Sequence, residues 1–434
     1  MTSTTFKPAE RHSPIRTFAE SGVYGDELGP FATFVGQLVV FSSMFVAFPP
    51  FDGIPGKSSL LMLTVSIGVL LLAPRNAVKR IPISVSITAF VGIMLLSVLW
   101  TNNLDGTIFS LERVVPQVLT FSIIVGLLRF EDFMVGLIWS FRVALLITIV
   151  ASAIDPTTRL HISEEQYGDA PLPGWHGWYF HKNFMAPLFC LGALTVAMFD
   201  RNRVAKWLTL TGFTVMIVMS DSKTGIFAFI MMLGIWWWLE HFSQLDERNG
   251  VMFFVSTSAL GLLGVAGAFT SLNALTTVAG RDANFSGRTA IWTAGIDAFL
   301  ERPLLGFGLN GLFWSNPVKI ETIELWRSVG FDAQHAHQGF LDVLLQLGIV
   351  GFVVYMALFS STLSSGWKMI KTNRKIGMWI VAVMIGQLFM ALSENTLTGS
   401  WLMVLVMFRL LTVRRYGMDF PERGSKRPVP WVPR

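Results

Sequence analysis

The sequence predicts an all-α polytopic membrane protein of about twelve transmembrane helices. Three observations carry that prediction. Of the 434 residues, 52% are hydrophobic and only 14% are charged, whereas a soluble domain carries about a quarter charged residues. Mean hydropathy is +0.56. Apolar stretches close to the roughly 20 residues that cross a bilayer recur along the whole chain. Length is therefore no guide to domain number, and residues 31–413 read as one transmembrane domain between a cytoplasmic N-terminal segment, 1–30, and a basic cytoplasmic tail, 414–434. The single cysteine, Cys190, excludes an internal disulfide framework and is expected to be a buried, inert thiol. No cleavable signal peptide is expected, because the first residues are polar and the first apolar run is already long enough to span.

In chain order the expected spans are 31–50, 58–73, 82–100, 107–128, 133–154, 184–199, 204–220, 224–240, 251–270, 338–362, 376–393 and 399–413. The basic segments "PRNAVKR", "DRNRVAK" and "WKMIKTNRK" and the tail alternate with these spans so that most Lys and Arg fall on one side. The positive-inside rule then places both termini in the cytoplasm. In a soluble protein the net charge of +5 would suggest an acidic partner; here it first reports orientation, and nucleic acid is not an expected partner. Two long external loops result, 155–182 and 271–337. Trp175, Trp178, Tyr179, Trp314 and Trp326 crowd them, as aromatic groups do at headgroup level.

Within the longer loop, "SGRTAIWTAGIDAFLERPLLGFG" predicts a short amphipathic helix on the outer membrane surface. Ser286 would cap it, Arg288 lies in its first turn, and Trp292, Ile296, Phe299 and Leu300 would form its apolar side until Pro303 stops it. "IETIELWRSVG" is a candidate for a second short helix. "GFGLNG", Gly306 to Gly311, matches the dinucleotide-binding pattern but follows no strand of a βαβ unit. It is read as a flexible turn.

The candidate chemistry lies at the helix ends. A metal site built from His335, His337 and Asp332 is disfavoured, because histidines two apart on a helix do not face one way. What remains is a set of external cations. Lys223 sits in the turn "SDSKTG", Lys182 in "HKN" beside Asn183, Arg288 at the start of the amphipathic helix, and Arg113 inside the fourth span next to Glu112. Each alone reads as a snorkelling anchor, and Arg113 also as an ion pair with Glu112. Yet positive charge is disfavoured outside, and ionisable groups at membrane depth are costly. Together the four favour a site for an anionic lipid headgroup, since Arg and Lys suit phosphate oxygens. His337 then stands at the depth of a sugar attached to such a headgroup, where an imidazole can accept a proton from an attacking hydroxyl. His335 reads as a loop residue, and both histidines could be plain interfacial anchors.

"HKNFMA", "SDSKTG", "SGRTAIW" with "ERPLLGFGLNGLF", and "HAHQGFLDVLLQLGIVG" follow one another in the order seen in the O-antigen ligase and polymerase superfamily. Over roughly residues 90 to 400 the chain resembles that superfamily, and most of all the rhizobial exopolysaccharide polymerases of the ExoQ type. The resemblance implies a metal-independent, inverting glycosyl transfer at the periplasmic face of the bacterial inner membrane, without a cofactor. Its donor would be an oligosaccharide on undecaprenyl diphosphate, moved by a polymerase onto the next lipid-linked repeat unit. It maps the family's turn-borne cation, usually Arg, onto Lys223, its loop Arg onto Arg288, and its loop His onto His337 with Gln338 beside it. The lipid-linked oligosaccharide and the bilayer are then partners, with chain-length regulators and export proteins as further candidates. A ligase acting on lipid A core or another acceptor needs the same leaving-group chemistry. A polysaccharide transporter or flippase is more distant: such proteins commonly show internal repeats and central broken helices, whereas no convincing repeat is evident here and the charge is concentrated in one external lobe.

Overall fold

The fold is that of a computed structural model and is described for residues 28–48, 57–161, 172–179, 181–242, 288–313, 335–395, 397 and 399–418. The helices are α1 (Pro30–Ala47), α2 (Lys57–Leu71), α3 (Arg75–Val78), α4 (Val85–Leu96), α5 (Leu104–Leu127), α6 (Phe130–Ile154), α7 (Lys182–Phe199), α8 (Arg203–Met219), α9 (Lys223–Phe242), α10 (Arg288–Glu301), α11 (Gly339–Thr372), α12 (Arg374–Ala391) and α13 (Gly399–Met418). Helix forms over each stretch expected to span except 251–270, which lies outside the described residues. Among the described residues, α1, α5, α6, α7, α11 and α12 are long and apolar enough to cross a membrane. The chain is thus a polytopic helical membrane protein. A two-residue antiparallel ladder, β1 (Leu160–His161) against β2 (Leu172–Pro173), closes part of the loop that follows α6.

The centre of the bundle is α7, α12 and α13, whose side chains are buried almost all round. In lipid, helices associate by close packing and interhelical hydrogen bonds rather than by the hydrophobic effect. Both are visible here. Trp379 of α12 is fully buried and its indole N–H donates to Thr195 Oγ1 of α7 at 3.1 Å. Gly225 of α9 comes so close to α7 that a Cβ there would lie 2.5 Å from the Ala186 methyl. Cys190, fully buried on α7, fits the expected inert thiol.

Several boundaries differ from the sequence reading. Residues of "WKMIK", expected in a cytoplasmic loop, continue α11 to Thr372. Arg414, expected to open the tail, is helical and donates to the carbonyls of Val125 and Leu128 at the end of α5. Tyr179 is buried rather than at headgroup level, packed on Phe184 and Phe189, and burial pushes its hydroxyl far above the usual range. Trp178 is half exposed as expected, while Trp314, Trp326, Ser286 and "IETIELWRSVG" lie outside the described residues.

α10 forms over the predicted stretch and ends at Glu301, just before Pro303. Its expected apolar side divides: Trp292 and Phe299 pack against the cluster of Ile291, Leu341 and Leu345. Ile296 and Leu300 are exposed, whereas Ile291 is buried and packs with Leu341 and Leu345 of α11. Gly295 permits the close approach to α11, since a Cβ there would lie 2.9 Å from Leu341 Cδ2.

α11 is broken. Gly348 holds φ 63° and ψ −167°, so the ladder of helical hydrogen bonds fails around it. Inside a bilayer such freed backbone groups need partners from the protein. The segment after α10 supplies them. Phe307 and Gly308 donate N–H to the carbonyls of Leu345 and Gln346 at 2.8 and 2.9 Å, and Ile349 and Val350 donate to Pro303 and Leu304 at 2.9 and 3.2 Å. The far side of the segment is fixed to α5, where Thr107 Oγ1 donates to Leu309 O at 2.7 Å and Asn310 Nδ2 to Ser110 Oγ at 2.6 Å. "GFGLNG" is therefore a turn, but a firmly bonded one rather than a flexible one. Its glycines allow φ of 65° at Gly306 and 90° at Gly308.

Candidate functional site

The first wall of the site is the loop that enters α11. Gln338 caps that helix, its side-chain oxygen accepting from Leu341 N–H. Before it, His337 takes φ 49°, a left-handed backbone that a β-carbon disfavours. His335 Nδ1 accepts the His337 N–H at 3.1 Å, and the two imidazole rings lie tilted by 50° with centroids 4.0 Å apart. The helical geometry assumed in weighing a metal site therefore does not apply: the two rings face each other in a loop, as expected for His335, and backbone bonding occupies His335 Nδ1.

The second wall is the turn between α12 and α13. Glu394 lies there, with its side chain 8% exposed, and one carboxylate oxygen is 3.7 Å from His337 Nδ1. That is ion-pair range but beyond a hydrogen bond; His337 Nδ1 is buried and forms no hydrogen bond among the described residues. The other oxygen accepts from Asn183 Nδ2 at 2.7 Å. Asn183 Oδ1 in turn accepts from Ser222 Oγ at 2.8 Å, and Ser222 Oγ accepts from Gly225 N–H at 3.1 Å. A further bond joins Thr224 and Ser393 hydroxyls at 3.0 Å. A continuous polar chain thus runs from the histidine loop through Glu394 and Asn183 to the turn "SDSKTG".

Two cations border this chain. Lys182 and Lys223 are the first residues of α7 and α9. Lys223 is exposed, while Lys182 is half-buried and bends over Gly174, where a Cβ would lie 2.9 Å from its Nζ. The Lys182 ammonium interacts with the charges of both Asp221 and Lys223. The N-termini of α7, α9 and α11 all open at this end of the bundle, capped by His181, Ser222 and Gln338. Each adds partial positive charge on which an anion is favoured. Lysine charge, helix N-termini and an imidazole beside a carboxylate together could hold a phosphate and move a proton.

The fold brings together His335, His337, Gln338, Asn183, Lys182 and Lys223. Arg288 begins α10, one turn before Trp292, whose indole N–H donates to Ala336 O at 3.1 Å; the Arg288 side chain lies outside the described residues. Arg113 is deeper in α5 than expected, since that helix starts at Leu104, and its guanidinium is located over the Phe109 ring at 5.7 Å. Sequence reasoning missed Glu394 and the hydroxyls of Ser222, Thr224 and Ser393. The signal was available in "LSENT", a short polar turn between two apolar helices like "SDSKTG" itself.

Comparison with known proteins gives two partial matches. Residues 207–356 match the family model of O-antigen ligase, and this segment holds Lys223, Arg288 and the histidine loop. A curated relative, the exopolysaccharide production protein ExoQ of Rhizobium meliloti strain 1021, is 22% identical over 143 residues. The match spans 32% of this chain and 32% of the relative, so about a third of each. The resemblance to the O-antigen ligase and polymerase superfamily, read first from the motifs, rests on both matches.

Proposed function

We propose that the protein is a polysaccharide polymerase of the exopolysaccharide and O-antigen type. The donor is a glycan on undecaprenyl diphosphate and the acceptor a hydroxyl of a lipid-linked repeat unit. The observation that carries this reading is the polar chain His337–Glu394–Asn183 bordered by Lys182 and Lys223. The likeness to ExoQ supports a polymerase; the family's description as O-antigen ligase supports a second reading, transfer to lipid A core or another acceptor.

In the proposed reaction the acceptor oxygen attacks the anomeric carbon from the side opposite the diphosphate. The bond from that carbon to the diphosphate oxygen breaks, the leaving group keeps the electron pair, and the configuration inverts. His337 takes the hydroxyl proton, and the Glu394 carboxylate beside it favours the cation so formed. Lys182, Lys223 and Arg288, with Arg113 as a further cation, neutralise the charge that grows on the diphosphate. Only interactions that strengthen in the transition state accelerate the step, and charge developing on a leaving diphosphate is of that kind. No metal and no cofactor enters this scheme. The proposal also sets about twelve spans in the inner membrane with both termini inside, which turns the site to the periplasm.

The test is turnover of lipid-linked repeat units by purified protein. His337→Ala is expected to lower turnover by about 10²–10⁴-fold while donor still binds. Arg288→Ala is expected to abolish polymerisation in a protein that still inserts. EDTA is expected to leave activity intact. Unaltered turnover by His337→Ala removes the catalytic role, and loss of activity to EDTA restored by a divalent ion contradicts the metal-free scheme.

A further inference from the structure

The histidine loop is gripped at one residue, on the peptide groups either side of it, by two side chains outside the polar chain described above. Ala336, fully buried between the two histidines, has its N–H accepted by Asp342 Oδ1 at 2.9 Å and its carbonyl bonded to the Trp292 indole N–H at 3.1 Å. Asp342 lies in the first turn of α11 and is wholly buried, and its other oxygen, Oδ2, has no hydrogen-bond partner among the described residues. A buried carboxyl with a bare oxygen is costly. A structural core position would be filled more cheaply by Leu, as at Leu341 or Leu345 beside it. Trp292 belongs to α10, a different element, so the grip joins two helices at one residue. Its target is the residue that precedes His337, whose left-handed backbone sets the direction of the imidazole toward Glu394.

We propose that Asp342 and Trp292 are positioning residues that hold the two peptide groups flanking Ala336 and thereby aim His337 at the reacting hydroxyl. The kinetic part rests on the transfer reaction proposed above. Freed of either bond, the peptide group on that side of Ala336 can rotate, and the ring moves from the place where it meets the acceptor. Misplacement of a catalytic group by about 1 Å costs on the order of 10²-fold in rate.

The experiment uses the full-length protein in nanodiscs and compares wild type with Asp342→Ala, Asp342→Asn and Trp292→Phe. Amide hydrogen exchange over residues 335–338 reports the grip itself, and kinetics with the lipid-linked repeat unit report its consequence. Asp342→Asn keeps an acceptor oxygen for Ala336, and Trp292→Phe keeps an aromatic ring but loses the donor. The expected result is faster exchange and a kcat lowered about 10–10²-fold in Asp342→Ala and Trp292→Phe, with KM for the donor within about threefold of wild type. Asp342→Asn is expected to stay near wild type in both. Unchanged exchange in Asp342→Ala overturns the grip. Faster exchange with unchanged kcat, or an equal loss in Asp342→Asn, overturns the positioning role. Wild-type protein that makes no product from lipid-linked units refutes the proposed reaction instead, and the exchange measurement still decides the grip.

Discussion

His337 combines two features that rarely serve packing: a φ of 49° and a ring nitrogen buried beside a carboxylate. A left-handed backbone costs a residue with a β-carbon roughly 1–2 kcal/mol, and such strain is common where function fixes a side chain. His337→Gly relieves that strain and removes the imidazole. It is expected to unfold at the same temperature as wild type or higher, yet to lose at least about 10²-fold in turnover. A thermal melt together with a turnover assay checks both halves. Glu394→Gln keeps an acceptor for Asn183 and removes only the charge; turnover is expected to fall by about 10–10²-fold with the melt little changed. His337, Lys182, Lys223 and Asn183 were legible in the sequence because polar groups at the ends of apolar runs carry a cost that asks for a reason. Glu394 was passed over, because an acid in a turn offends no topological rule, although the polar turn "LSENT" itself stood in the sequence. Only the fold, by setting the turn after α12 against the entry to α11, gives it a partner.

The helices themselves were read almost entirely from apolar length, since in a bilayer every backbone group must bond within its own segment. The break in α11 was not. Glycine is frequent in membrane helices, so the glycines of "QLGIVG" gave no signal of a break. Gly348 is instead the one position where α11 abandons helical geometry, and a Cβ there would lie 2.2 Å from Leu304 O. Gly348→Ala is expected to destabilise the protein by about 3 kcal/mol or more, because both the φ and the approach of Leu304 forbid it. A loss of several degrees in the melting temperature checks this; an unchanged melt means the splint of residues 303–308 yields easily. Periodicity alone cannot tell lipid from a neighbouring helix as the cover for an apolar side; in α10 the cluster with Leu341 and Leu345 covers Trp292 and Phe299 and leaves Ile296 and Leu300 exposed.

The molecule gathers its polar chemistry at one end of an apolar bundle. The N-termini of α7, α9 and α11, the turn after α12 and the loop beside α10 all meet there, drawn from distant parts of the chain. Under the proposed topology this end is periplasmic. Reporter fusions after residue 202 should then report cytoplasm and fusions after residue 158 periplasm; the reverse pattern inverts the orientation and moves the site to the wrong side for an exported glycan. The charge bias that suggested this orientation is a property of the whole chain and was plain in the sequence, whereas the convergence of the site required long-range packing. The most direct measurement supplies purified protein with undecaprenyl-diphosphate-linked repeat units alone and resolves the products by size. A ladder of lengthening glycans from wild type, absent from His337→Ala protein that still binds the donor, is the predicted result. A ladder of equal intensity from His337→Ala, or no product of any kind from wild type with or without a second acceptor, would contradict it.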